Sequence, residues 1–169
     1  TNYAQNGFIE IWGPLNGSCA TFSTASQSYL QLSDNAVFNF ADADFAIEMF
    51  VNRAAASTAR IALYTQSTST ADQIFFGILN NDLLFSCVTG GSTIAYHSTD
   101  SLSWNTAQWY HLVFVREGSS VRMYRNGQNL TLTATTAIGA ATLPNLTSNI
   151  YFGAWAGSED SLVVFSKVA

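Results

Sequence analysis

Apolar side chains in this chain return at every second position in short runs, and nowhere do they keep the i, i+3, i+4, i+7 spacing of a buried helix. Period two is the spacing of a strand with one face turned to a core. The cleanest case predicts Phe45, Ile47, Met49 and Val51 on one face, with Ala46, Glu48, Phe50 and Asn52 on the other. That second face is mixed, as expected where a further layer or a concave surface lies over it. Comparable runs predict strands at 8–12, 18–22, 29–32, 60–64, 73–79, 83–88, 93–97, 109–116, 120–125, 129–133, 150–154 and 162–165.

Turn chemistry punctuates the same runs. Asn80-Asn81-Asp82 and Glu117-Gly118-Ser119 each separate two apolar stretches and predict hairpins. The strongest signal is Asn126-Gly127, a pair that supplies two positive-φ positions for a type I′ turn. The small-residue stretches 54–59, 65–71 and 132–146 read as loops. Many short strands joined by tight turns, with no helix, predict an all-β, two-sheet antiparallel sandwich. At 169 residues, with no internal repeat, residues 1–169 read as one domain.

Only 10% of the residues are Asp, Glu, Lys or Arg, against about 25% in an average soluble domain. The surface therefore rests on Ser, Thr, Asn and Gln, which can be buried against a partner without stripping ions of water. This favours protein partners in an assembly, including a second copy of the chain, or a neutral ligand. The six basic residues are scattered and the net charge is −5, so no basic stripe exists to bind nucleic acid. No apolar run reaches the roughly 18 residues of a membrane span.

Residues 109–127 carry a more specific signal: Trp109-Tyr110-His111-Leu112, then Glu117-Gly118-Ser119, then Met123-Tyr124-Arg125-Asn126-Gly127. This stretch resembles the signature hairpin of laminin G-like, concanavalin A-like jelly rolls. Tyr29-Leu30-Gln31-Leu32 with Phe45-Ala46-Ile47-Glu48-Met49-Phe50-Val51 resembles the family's opening pair of strands, with Phe50 where a Trp is usual. Ile150-Tyr151-Phe152-Gly153 resembles a later strand, and 162–169 would close the fold without the usual acidic lead-in. The resemblance runs from about Tyr29 to the end and implies a jelly-roll sandwich in which Trp109 anchors the core. It leaves function open, because the fold carries lectins, enzyme accessory modules, adhesion domains and virion proteins.

The residues that could do chemistry are sparse. Glycoside hydrolysis needs two carboxylates flanking the scissile bond. None of the four glutamates, Glu10, Glu48, Glu117 and Glu159, begins the Glu-x-Asp-x-x-Glu pattern of hydrolases resembling this fold, and Asp42 and Asp44 lie in a loop entering a strand. No catalytic residues are assigned. His97 and His111 have no carboxylate or second histidine beside them in sequence and read as hydrogen-bonded structural residues. No cofactor is implied. Calcium would need two acidic loops to converge, from among Asp34-Asn35, Asp42-Ala43-Asp44, Asn80-Asn81-Asp82 and Glu159-Asp160. Cys19 and Cys87 read either as two buried thiols or as a disulfide between strands. Asn16, Asn129 and Asn145 head glycosylation sequons.

For glycan contact the candidate ligand-binding residues are Trp155, at a strand end, and Asp160 in the loop that follows it, while Trp12, Trp104 and Trp109 read as packing residues. The expected function is non-catalytic. It is either a virion structural or decoration protein, on a virion surface and with some contact to host glycans, or an extracellular carbohydrate-binding or adhesion module. The virion reading comes from the likeness of such low-charge sequences to bacteriophage virion proteins.

Overall fold

The computed structural model describes residues 29–53 and 60–155, together with short strand segments at 4–5, 8–9, 20–21, 158–159 and 163–168. In chain order the strands are Ala4–Gln5 (β1), Phe8–Ile9 (β2), Ala20–Thr21 (β3), Leu30–Leu32 (β4), Phe45–Arg53 (β5), Ile61–Ser69 (β6), Asp72–Leu79 (β7), Asp82–Thr89 (β8) and Ser92–Thr99 (β9). They continue with Trp109–Glu117 (β10), Ser120–Arg125 (β11), Gln128–Asn129 (β12), Leu132–Thr136 (β13), Ile150–Phe152 (β14), Ala154–Trp155 (β15), Ser158–Glu159 (β16) and Val163–Val168 (β17). The one helical element among the described residues is a 3-10 turn at Ala36–Phe38, started by Asn35, whose Oδ1 accepts from Val37 N–H at 3.1 Å.

Two antiparallel sheets make the sandwich, a six-stranded one ordered β12-β11-β10-β5-β17-β3 and a seven-stranded one ordered β13-β9-β8-β7-β6-β14-β4. Long crossings separate strands that are neighbours in space, as β5 lies between β10 and β17. The order is that of a jelly roll. Four hairpins join consecutive strands through two-residue turns at positive φ or through a glycine at positive φ: Asn80-Asn81, Gly90-Gly91, Gly118 and Asn126-Gly127. The Asn126 and Gly127 angles of 53° and 78° are those of the type I′ turn expected from the dipeptide.

Alternation decides which side chains meet. Ile47, Met49 and Val51 of β5 and Tyr110, Leu112 and Phe114 of β10 are buried, while the residues between them are not. They face Leu63, Ile74, Phe76, Ile78, Leu83 and Phe85 of the seven-stranded sheet in one core. The sheets lock through aromatic contact, with the Phe85 and Phe114 rings stacked at 4.0 Å. Each such side chain contributes about 1.5–3 kcal/mol by leaving water.

Two stretches expected to be loops are strands. Residues 65–69 extend β6, pairing through Thr65↔Phe75 and Gln66↔Ile74, and 132–136 form β13 on the edge of the seven-stranded sheet. Threonine's branched Cβ suits a pleated strand, and here pairing decides where hydrophobic alternation is silent. The remainder, 137–149, is a tethered closure of the sandwich end, with Ile138, Leu143 and Leu146 buried in the core. Buried polar side chains hold it. Arg116 donates to the Ala41, Ala141 and Gly118 carbonyls at 3.0, 2.8 and 3.0 Å. Gln66 Nε2 donates to the Leu146 and Ser148 carbonyls and to Asp34 Oδ1. His97 Nε2 accepts the Ile138 N–H at 3.0 Å.

Candidate binding face

The side chains that alternate away from the core on β5, β10 and β11 share the outer face of the six-stranded sheet. Register sets their neighbours. Trp109 lies opposite Asn52, His111 opposite Phe50, and Val113 between Glu48 and Tyr124. Trp109, Phe50, His111, Val113 and Tyr124 are all half-buried. Trp109 therefore does not anchor the core. One step of register places Tyr110 inside and Trp109 outside, and a flat pattern of apolar residues on both parities conceals which set turns inward. Among the described indoles, the one that packs inward is Trp104, edge-on to Tyr110 at 5.0 Å, with its Nε1–H donated to the Asn81 carbonyl.

At the centre of this face the His111 and Phe50 rings stack at 4.7 Å with 24° between planes. His111 Nε2 lies 2.6 Å from Glu48 Oε1, and the two side chains remain 28% and 42% exposed. The histidine is hydrogen-bonded as expected, but its carboxylate comes from the neighbouring strand, where sequence distance hides it. Its backbone is fixed too, since Asn126 Oδ1 accepts the His111 N–H and the Asn126 N–H donates to the His111 carbonyl, both at 2.8 Å. The asparagine that makes the turn thus also holds the histidine. Arg122 and Glu117 pair at 2.6 Å at the end of the same face. Flat ring surfaces beside exposed carboxylate, imidazole and amide groups can stack on an apolar ligand face and hydrogen-bond its hydroxyls.

Of the two residues picked from sequence, only the backbone of Trp155 is among the described residues. Trp155 lies in β15, its backbone paired with Ser158 of β16, and Asp160 lies outside the described residues, as do Trp12 and Cys19. Two of the acidic loops are engaged separately: Asp34 accepts from Gln66, and Asp44 Oδ1 accepts the Gly118 N–H at 2.6 Å. Among the described residues no three His, Cys, Asp or Glu side chains gather as metal ligands. Cys87 is a free, fully buried thiol. Burial, with the charge of Asp72, pushes it up to about 12, which keeps it protonated.

With this geometry in view, the comparisons fall into one pattern. A family model described as the concanavalin A-like lectin/glucanases superfamily matches residues 24–166, and the chain belongs to that family, in its laminin G-like branch. Domain 4 of an extracellular arabinanase from Geobacillus stearothermophilus, solved with arabinotriose, superposes with a TM-score of 0.62 at 13% identity, over 95% of this chain and 76% of that one. The mouse laminin α1 domains LG4-5 give 0.59 at 13% identity, over 90% and 44%. The binding domain of botulinum neurotoxin serotype D/C gives 0.63 at 12%, over 94% and 41%. The chain thus spans under half of the laminin and neurotoxin chains it resembles. No curated protein sequence matches it. At these identities the structural likeness establishes the fold, a lectin-like jelly roll.

Proposed function

We propose that this chain is a non-catalytic extracellular binding module, one domain across 1–169, that holds a neutral carbohydrate on the outer face of its six-stranded sheet. One observation carries the reading: Trp109, the stacked Phe50–His111 pair and Tyr124 lie on one accessible face with the Glu48 carboxylate among them. Support comes from a structural neighbour solved with arabinotriose and from others that are laminin and toxin binding domains. Glu48 engages a histidine and not a second carboxylate, which is not the arrangement glycoside hydrolysis requires. Neither nucleic acid nor insertion into a membrane has a part in this reading, and no cofactor is required.

A glycan array followed by calorimetry on the best binder tests it. Trp109→Ala and Tyr124→Ala are each expected to weaken binding at least tenfold, the loss of about 1.4–2 kcal/mol at a stacking contact. Loss with Trp155→Ala but not with Trp109→Ala would move the site to the Trp155–Asp160 end, and hydrolysis of a bound polysaccharide would overturn the non-catalytic reading. A second reading, a virion structural or decoration role, is favoured by the 10% charged content, since a neutral surface suits permanent burial. An empty array, together with recovery of the chain on purified particles, would select it.

A further inference from the structure

We propose that His97 is a proton-operated latch: the neutral ring keeps the turn at 137–141 closed on the core, and acidification frees 132–141 while the two sheets stay paired. His97 stands on β9, 6% exposed, opposite Phe85 of β8 and Ala134 of β13. Its Nε2 accepts the Ile138 N–H at 3.0 Å, so a lone pair and not a proton faces that amide. A protonated ring would set N–H against N–H and leave a charge buried without a partner.

What gives way is decided by what each alternative breaks. Unfolding the sandwich gives up the whole core. Freeing 132–141 exposes one buried apolar side chain, Ile138, and breaks one row of strand bonds. That row is weakly held. Among the described residues β13 pairs with β9 alone, its register shifts between Ala134 and Thr136, and Thr133, Ala134 and Thr135 are exposed. Beyond the turn the chain is fastened without His97. Arg116 donates to the Ala141 carbonyl and the Leu143 N–H to the Ala41 carbonyl, both at 2.8 Å, and Gln66 holds the Leu146 and Ser148 carbonyls. Release therefore stops at Ala141 and leaves Leu143 and Leu146 in place.

The surrounding charges do not take over the role of the latch. β13 and the turn contain no Asp, Glu, Lys or Arg. Asp82 of β8 and Asp100 after β9 act on each other at one end of that strand pair, and Asp72 of β7 acts on Cys87. Across the core the buried cations are Arg53, bonded to Asn81 Oδ1, and Arg116, bonded to backbone carbonyls. The phenols of Tyr64 and Tyr110 gain no charge on acidification. Burial is what lowers His97 below its ordinary 6.5. Once freed, the ring titrates in water, so opening grows by up to tenfold per pH unit below about 6.5, until the closed-state ring titrates too. Opening bares Ile138 and the outer edge of β9, so this end of the sandwich presents apolar surface only in acid.

Amide exchange followed by NMR between about pH 7.5 and pH 5, corrected for the intrinsic pH dependence of exchange, reads the latch. Protection of the Ile138 N–H and of 132–136 is expected to fall at least tenfold more than that of Leu112 and Phe114 in the centre of β10. The wild-type chain alone already tests the assignment: the Ile138 change is expected to share its midpoint with the His97 ring signals and not with those of His111, the other histidine. His97→Gln, which keeps an acceptor for Ile138, is expected to hold that protection constant over the range. A uniform loss over both sheets, an Ile138 amide indifferent to pH, a midpoint that follows His111, or a loss that persists in folded His97→Gln would each overturn the proposal.

Discussion

His97 shows how much one buried ring can carry. It sits 6% exposed, and its Nε2 lone pair accepts the Ile138 N–H, so only the neutral ring fits the site. Burial holds its folded-state pKa below the ordinary value of 6.5. The unfolded chain therefore takes up the proton first. Stability is full above about pH 6.5 and falls as pH drops through that value, continuing until the folded-state histidine also titrates. Urea unfolding is expected to show lower stability at about pH 5 than at about pH 7.5, a difference that His97→Gln, which keeps an acceptor, reduces. An unchanged difference in the variant would place the effect elsewhere. Both the isolation of His97 and its structural role were legible in the sequence. Its partner was not, because a backbone N–H has no signature and Ile138 arrives from a distant segment.

Strands in this molecule are specified at two strengths. β5 and β10 follow from hydrophobic alternation alone, and the Asn126-Gly127 hairpin from its two positive-φ residues. The Ser/Thr half of β6 and the 134–136 end of β13 carry no such pattern, and their strand state comes from pairing partners, Gln73–Phe75 and Tyr96–His97. β7 adds a constraint that alternation cannot express. The Phe75 ring folds back over Gly77, so a Cβ there would meet both the Ile61 carbonyl and Phe75 Cζ. The Ile61 carbonyl is backbone in the neighbouring strand and cannot swing aside. Gly77→Ala is expected to cost at least about 2 kcal/mol, a fall in Tm of roughly 4–8 °C. An unshifted melting curve would show that the sheet yields. Gly118, at φ 58° with open space around it, is needed for its backbone angle and not for room.

At the scale of the whole molecule, low charge bears on the proposed binding face. A neutral ligand held by ring stacking and hydrogen bonds gains little from long-range fields, so its affinity is expected to change less than about twofold between roughly 0.05 and 0.5 M salt. A steep loss would mean that the ligand is anionic. The residues that matched the family pattern are those a sandwich needs for packing and turns, which is why they identified the jelly roll while leaving its working face undefined. From the sequence alone came the strand class, the hairpins, the lack of a basic stripe and the lack of a hydrolase carboxylate pattern, since each is a local property of spacing or composition. The tertiary structure alone decided that Trp109 turns outward while Tyr110 turns in, that Glu48 meets His111, and that β13 is left at an edge. Those are matters of register between strands far apart in the chain, and a shift of one residue exchanges the two faces without altering any local pattern.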